Sequence, residues 1–517
     1  MSNSTYSNRN IRDSLRAFAL GKVLTAPGSI LLVFLYATFM AREQYAAYVA
    51  ATAVLEVSMS LGTCGIDWLT QTVIPSIRVK GTNAQLRAAV RRLIGLQVIP
   101  YCLLGIGILV LAPWLSRMLS GVVPAEVLRI YGVVVAVEGV SRLLRDQILG
   151  ALMMQRMVQL LQIFRLVLML GGLCALHFLG PGVTAWHVAF LELSASVGTV
   201  LIAGVALAHH LRSAAGVPGD DRNIGAWFGR GSVRFAFNAY CSFLLSICIG
   251  TELATGLVAR YLGADATAQF GFATRLVEQV RRFLPLDLVW VVIRPALIGR
   301  FERQGRNFAV LSNDVGLILR ANLLLLGIAA VVFIGAGSEL VLVFTHGNIH
   351  LMPFLLASLL PLVLGHTLRR SLELMTYLIG RSNLFLYGSL ATIAAPLLLL
   401  TYLDVFKSLY LVGVAIGVAE LLCSVIVFAG LARSGHPVQV TPSVWLKLIG
   451  IVLACGAVGM FSVRQIPGPA GVVSAVVAAV ALYLAGIVIG RIVSRTDIDA
   501  VKRMLAAREP AAPAVGT

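Results

Sequence analysis

The chain has 517 residues, of which 58% are hydrophobic and only 12% are charged. A chain of this composition does not form water-soluble domains, so its length indicates the number of membrane helices. The formal net charge is +18, but the Lys and Arg residues are spread over many short loops. That distribution excludes a nucleic-acid-binding arm and is typical of membrane topology.

About fourteen apolar stretches follow one another from residue 17 to residue 490, each long enough to cross a bilayer. The first stretch is full length, contains Pro27 and has no small-residue cleavage site, so we expect it to remain as a span rather than to be a signal peptide. The predicted spans begin at Ala17, Tyr45, Leu93, Val122, Val158, Val183, Arg234, Thr267, Gly316, Leu351, Leu384, Ser408, Val444 and Pro469.

Basic loops alternate with nearly uncharged loops along the chain. By the positive-inside rule both termini are cytoplasmic, which requires an even number of spans. We therefore expect an all-α integral membrane protein with about 14 transmembrane helices. Its predicted parts are an N-terminal six-helix lobe (1–211), a cytoplasmic linker (212–232), a C-terminal six-helix lobe (233–435), two additional transmembrane helices (436–492) and a disordered cytoplasmic tail (493–517).

The two predicted lobes resemble each other at one connection. Residues 40–48 join two spans of the first lobe, and residues 259–270 join two spans of the second, at an offset of about 220 residues. Six spans in each unit leave both units in the same orientation. This pattern predicts a parallel repeat about an axis along the membrane normal, with a substrate path between the lobes.

The eighth span carries charges in the middle of an apolar run. Arg275, Glu278 and Arg282 share one helix face at i, i+3 and i+7, with Arg281 beside them. One interpretation is a water-filled cavity in which these arginines bind an anion such as a phosphate group. The alternative is that Glu278 neutralises one of the two arginines as a buried ion pair. Both interpretations stay open from the sequence.

The first two spans also carry polar residues. Glu56 and Asp67 of the second span, three turns apart, would share a face and could bind a proton or cation that drives transport. The alternative for Glu56 is pairing with an arginine of a neighbouring helix, such as Arg165. Lys22 of the first span either faces the cavity or extends to the cytoplasmic surface.

The two joining segments carry a family resemblance. They read AREQYAAY at 41–48 and ARYLGADATAQFGFATRL at 259–276. The second turn above all, with the overall layout, resembles the polysaccharide-transporter, Wzx-like branch of the MOP (multidrug/oligosaccharidyl-lipid/polysaccharide) flippase superfamily. The resemblance implies that Glu252 occupies the place of an acidic residue common in that family.

The same resemblance implies a function in the bacterial cytoplasmic (inner) membrane. It is the transfer of an undecaprenyl-diphosphate-linked oligosaccharide to the outer leaflet, without enzymatic chemistry. The expected partners are this polyprenyl-diphosphate-linked oligosaccharide, membrane lipids, and a polysaccharide polymerase with its export machinery, but no nucleic acid. Two rival functions stay open: an ion-coupled multidrug exporter of the same superfamily, and a membrane glycosyl-polymerase or ligase.

Neither a metal nor a cofactor is expected, because the seven cysteines lie in apolar stretches without CxxC spacing and no phosphate-binding GxxxxGK[ST] loop occurs.

The candidate functional residues divide into two sets. The predicted substrate-binding residues are Arg275, Arg281, Arg282, Lys22 and Arg165, and the predicted ion-coupling residues are Glu56, Asp67, Glu252 and Glu278.

Overall fold

A computed structural model describes residues 8–80, 82–180, 182–213, 250–284, 307–438, 442–466 and 468–490, with 237, 240, 241, 243–247, 286, 301 and 492. The described chain is helical apart from turns and one isolated β-bridge between Met40 and Val183. Ten of its helices are long and apolar enough to cross a membrane, which confirms the predicted all-α, multi-pass class. The count of fourteen spans and the lobe boundaries stay predictions. Most of the predicted linker and the tail lie outside the described residues.

The N-terminal group of helices consists of α1 (Asn8–Phe39), α2 (Arg42–Gly62), α3 (Ile66–Lys80), α4 (Asn83–Met118), α5 (Ala125–Arg142), a π-helical segment (Leu143–Leu149), α6 (Gln155–Phe178) and α7 (Ala185–Ser213). Within this group α4 packs on α5, α5 and α6 pack on α7, and α1 packs on α6.

The second predicted span is broken in the middle. Helix α2 ends at Gly62, and Cys64 and Gly65 have φ values of 45° and 74° before α3 begins. Left-handed backbone of this kind ends a helix. Glu56 therefore lies on α2 and Asp67 on α3, not on one continuous helical face as the sequence pattern predicts.

The C-terminal group consists of α8 (Thr251–Phe283), α9 (Phe308–Phe344), α10 (Leu355–Ser358), α11 (Leu360–Leu378), α12 (Ser382–Ala391), α13 (Ala394–Phe406), α14 (Leu409–Arg433), α15 (Pro442–Gln465) and α16 (Pro469–Ile489). Within this group α11 packs on α14, α9 packs on α15, and α15 packs on α16. Helix α8 is kinked at Gly263, whose φ of 82° is open to glycine without a Cβ penalty. The kink falls inside the predicted joining segment 259–270.

The two groups meet most extensively where α2 crosses α8. At this crossing Gly271 packs against Val49 so closely that a Cβ added to Gly271 would lie 2.0 Å from Val49 Cγ1. At the outer end, defined as the end that carries the α1–α2 turn and is predicted to be external, Arg42 Nη1 lies 2.6 Å from Asp265 Oδ1. The two repeated segments therefore contact each other, as expected for a parallel repeat about a central axis.

A second polar contact at the outer end involves the C-terminus of α1. Asn348 Nδ2 donates to the carbonyl oxygens of Ala37 and Met40 at 2.6 and 2.8 Å. The apolar core follows the same division. One buried cluster contains residues of both groups, among them Met40 and Ala259 at the outer end, whereas the clusters around Ile74 and around Leu374 each contain residues of one group. The groups are thus packed together at the outer end, and the clusters around Ile74 and Leu374 do not join them.

Candidate functional site

A cavity lies between the two groups, inward of the outer contacts. It consists of two adjoining chambers of about 990 and 830 Å³, here called the first and the second chamber. Glu252, Glu278 and Arg281 of α8 line both chambers, together with Asp146 and Gln162 of the N-terminal group. The chambers therefore form one continuous space.

An ion-pair network builds the N-terminal wall of the first chamber around Glu138 of α5, whose side chain is 2% exposed. Glu138 accepts from Arg142 Nε at 3.0 Å, from Arg165 Nη1 at 2.5 Å and from Ser196 Oγ at 2.8 Å. Arg142 also donates to both carboxylate oxygens of Glu56, at 2.5 and 2.8 Å. Glu56 is thus paired with a neighbouring helix, but through Arg142 rather than Arg165.

The π-helical segment extends the same wall. Arg145 donates from Nε and Nη2 to the two carboxylate oxygens of Asp146, at 2.8 and 2.7 Å. From their position in the sequence, Arg142 and Arg145 are expected in an inner loop, but both belong to helices and line the first chamber. The signal that could reveal this is the spacing of Glu138 and Arg142, which are i, i+4 neighbours on one helix face.

The C-terminal wall holds its arginines differently. Arg275 Nη2 donates to Thr52 Oγ1, and the Arg275 guanidinium carbon lies 4.8 Å from the ring centroid of Tyr48, both residues of α2. Among the described residues Arg275 has no carboxylate within salt-bridge distance. Glu278 instead accepts from Thr251 Oγ1 at 3.1 Å. The ion pair predicted as one alternative for this helix face is therefore not formed.

The charges of the described residues that line the first chamber do not cancel. Among these residues seven cationic side chains face five carboxylates, an excess of two positive charges. The arginines of the N-terminal wall are paired with Glu56, Glu138 and Asp146, so the excess belongs to α1 and α8. An excess of this sign in a low-dielectric cleft attracts anions. The cationic residues are Lys22, Arg142, Arg145, Arg165, Arg275, Arg281 and Arg282, and the carboxylates are Glu56, Glu138, Asp146, Glu252 and Glu278.

The structure brings the residues selected from the sequence to this cavity. Arg275, Arg281, Arg282, Lys22, Arg165, Glu56, Glu252 and Glu278 line the first chamber, and Asp67 lines the second. The Lys22 ammonium lies 5.7 Å from the ring centroid of Phe18, within the cavity wall. The roles assigned to these residues stay predictions.

The second chamber has polar residues that the sequence analysis did not select. On the C-terminal side, Arg369 Nη1 lies 3.2 Å from Glu420 Oε1 and its guanidinium 5.1 Å from the Phe385 ring centroid. His366 lies nearby on the same wall. Within the described ranges no three His, Cys, Asp or Glu side chains are grouped so that they could hold a metal ion.

Comparisons with known proteins bear on this architecture. No family model and no curated protein matches the chain. Among solved structures, the lipid II flippase MurJ in its inward closed conformation aligns with a TM-score of 0.55 and 11% identity, over 92% of this chain and 98% of that one. A multidrug resistance MATE family transporter of the MOP superfamily aligns in its inward-facing conformation with a TM-score of 0.55 and 14% identity, over 79% and 94%.

The outward-facing conformation of a multidrug resistance MATE family transporter of the MOP superfamily gives a TM-score of 0.51 and 13% identity, over 81% and 95%. Identities this low carry information about the fold and not about the substrate. The family resemblance predicted from the joining segments is confirmed at that level: the chain has the fold of the MOP transporters.

Proposed function

We propose that the protein is a flippase for an undecaprenyl-diphosphate-linked oligosaccharide. It would move this lipid from the cytoplasmic to the outer leaflet for the assembly of exopolysaccharide, capsule or O-antigen. The observation that carries the proposal is the positive charge on α8, where Arg275 and Arg282 face a cavity between two helix groups and have no carboxylate partner among the described residues. A diphosphate supplies the missing negative charge and suits the bidentate donors of arginine.

The position of Arg275 supports an anion ligand. It lies twelve residues beyond the kink at Gly263, about 18 Å along the helix. A charge at such depth costs several kcal/mol unless a cavity or a partner compensates for it. Tyr48 covers one face of the guanidinium and Thr52 takes one N–H, so its remaining donors are available to a ligand in the chamber.

The division of the core supports loading from the inner side. The groups share one buried cluster in the outer half, and Arg42–Asp265 and Asn348 add polar contacts there, while the inner half is divided by the cavity. The headgroup would enter the cavity from the cytoplasm while the lipid tail stays in the bilayer. Breaking the outer contacts and closing the inner half would then release the headgroup outside, by rocking of one group against the other.

A multidrug exporter is the second candidate, and the likeness to two MATE structures favours it. A cationic drug would need carboxylates without competing cations nearby. Two carboxylates of the described cavity, Glu252 and Glu278, are outside the ion pairs of the N-terminal wall, but both lie on the helix that carries Arg275, Arg281 and Arg282. The excess of positive charge therefore favours the lipid-diphosphate substrate.

Reconstituted transport separates the two candidates. Purified protein in proteoliposomes is supplied with a fluorescent undecaprenyl-diphosphate oligosaccharide in one leaflet, and the label that becomes accessible to a membrane-impermeant quencher on the other side is followed. Parallel vesicles contain a cationic dye and a proton gradient. We expect lipid transfer without dye efflux. Dye efflux without lipid transfer would replace the flippase proposal with the exporter.

A further inference from the structure

A row of glutamines lines the second chamber on its N-terminal side. Gln155, Gln159 and Gln162 occur at i, i+4 and i+7 of α6 and therefore share one helix face. Gln147 of the π-helical segment lies on the same wall. Four uncharged amides on one wall are a large polar group for a membrane-spanning bundle, where polar side chains normally have partners.

These amides have no such partners. Within the described part of the chain, none of the four side chains makes a hydrogen bond. Gln159 is only 4% exposed, and both of its amide atoms are buried and unsatisfied, as is Oε1 of Gln147. A buried polar atom without a partner destabilises a fold, so such atoms are uncommon unless a ligand or water satisfies them.

The backbone next to these residues is also unusual. Residues Leu143–Leu149 form a π-helix, a rare conformation that is frequent at functional sites. This segment carries Asp146 and Gln147, both of which line the second chamber. The π-helical backbone is a second kind of observation on the same wall, and Gln147 belongs both to it and to the unsatisfied amides.

The opposite wall presents aromatic rings. Tyr377 of α11 and Phe385 of α12 line the chamber with their ring centroids 6.3 Å apart. Amides donate and accept hydrogen bonds without adding charge, as hydroxyl-rich ligands require. Aromatic side chains provide apolar contact area beside such polar groups. Together the two walls suit a ring-shaped, hydroxylated, uncharged ligand better than a phosphate group.

We propose that the second chamber binds the glycan of the transported lipid through the glutamine row, with neutral sugars as the chemical class. The inference rests on the proposed function, because it places the sugars beside a diphosphate held in the first chamber. Gln162 lines both chambers and so marks the junction. The sugar attached to the diphosphate lies there, and the following sugar reaches Gln155 and Gln159 nearer the start of α6.

A binding experiment tests this assignment with two lipids that differ only in the glycan. Full-length protein in detergent is titrated with undecaprenyl diphosphate, bare or carrying N,N′-diacetylchitobiose. The test variant is Gln147→Leu with Gln155→Leu, which keeps side-chain size and removes two amides that line the second chamber only. The control is Leu160→Ala with Val167→Ala, on the exposed face of α6.

We expect the wild type and the control to prefer the glycosylated lipid. The preference in the test variant should fall roughly tenfold, from two lost hydrogen bonds, while its affinity for the bare lipid stays unchanged. That unchanged affinity also shows that the variant is folded. If the variant does not fold, Tyr377→Leu replaces it and should reduce the same preference.

Each other outcome has a definite meaning. Equal affinity of the wild type for both lipids, or a preference retained in the folded variant, overturns the glycan site and leaves the flippase proposal standing. An equal loss of affinity for both lipids assigns the glutamines a structural role and overturns the inference. If the wild type binds neither lipid, the proposed function fails and the glycan site with it.

Discussion

On the N-terminal wall of the first chamber, Arg142 and Arg165 share the buried carboxylate of Glu138. On the C-terminal wall, the partners of Arg275 among the described residues are the Thr52 hydroxyl and the Tyr48 ring. Both walls therefore place arginine inside a membrane protein, but only one of them neutralises it. Ion pairs inside a protein hold helices in a fixed arrangement, and removing one partner leaves a costly unpaired charge. An arginine without a carboxylate partner can form charge-assisted hydrogen bonds with an anionic ligand. The comparison thus separates a structural wall from the wall that we propose binds the ligand, here called the binding wall.

The largest expected effect comes from breaking the structural wall. In Glu138→Ala, Arg165 loses the one ion-pair partner that it has in the described part of the chain, and Arg142 keeps its pair with Glu56. Because the carboxylate is buried, we expect the free energy of unfolding to fall by about 3–5 kcal/mol. The measurement is the melting temperature of the purified protein, with Glu126→Ala on the exposed side of α5 as control. A Glu138→Ala protein as stable as this control would remove the distinction between the walls.

A smaller effect is expected where the walls are joined. In Gly271→Ala the new Cβ would lie 2.0 Å from Val49 Cγ1, so α2 and α8 must separate, at a cost of about 1–3 kcal/mol. Adding Val49→Ala should recover most of the lost stability. Gly107→Ala on α4 is a matched control, because nothing lies within 4 Å of its added Cβ. The measurement is the melting temperature of the three variants. If Gly271→Ala melts at the same temperature as Gly107→Ala, the close crossing of α2 and α8 is contradicted.

The smallest effect is expected at the outer end. Arg42 and Asp265 are 35% and 57% exposed, so their pair is worth less than about 1 kcal/mol. Arg42→Asp alone should increase outward opening a few-fold, and the swap with Asp265→Arg should reverse the increase. Thr274 lines both chambers and serves as the reporter position. The measurement is the rate at which an external, impermeant maleimide labels Thr274→Cys, in a background with the seven native cysteines replaced by serine. Equal labelling of all three proteins would show that this pair does not hold the outer end closed.

The sequence indicated the residues that line the cavity on α8 better than it indicated the ion pairs of the structural wall. Arg275, Glu278 and Arg282 repeat at helical spacing within an apolar run, a local pattern that needs no tertiary information. Which of them is paired depends on neighbouring helices, so the alternatives could not be separated from the sequence. Glu138 and Arg142 form a similar local pattern, but their place near the end of an apolar stretch suggests a loop.

Two backbone features were also beyond the sequence. The break after α2 depends on a left-handed Cys64, and non-glycine residues adopt that conformation only where the surrounding structure holds them. The π-helix at Leu143–Leu149 likewise has no distinctive residue pattern. The parallel repeat was predictable because its joining segments 41–48 and 259–276 keep similar residues.

The most direct test of the account is lipid transfer by a variant that removes the unpaired charges. Arg275→Ala with Arg282→Ala is compared in proteoliposomes with Arg91→Ala with Arg129→Ala, two arginines on exposed faces of α4 and α5. We expect the first variant to reach normal membrane levels, because it breaks no ion pair between residues that the structure describes, and to transfer no labelled undecaprenyl-diphosphate oligosaccharide. The second should transfer the lipid at the wild-type rate. Normal transfer by the Arg275→Ala/Arg282→Ala protein would contradict the assignment of α8 as the diphosphate-binding wall.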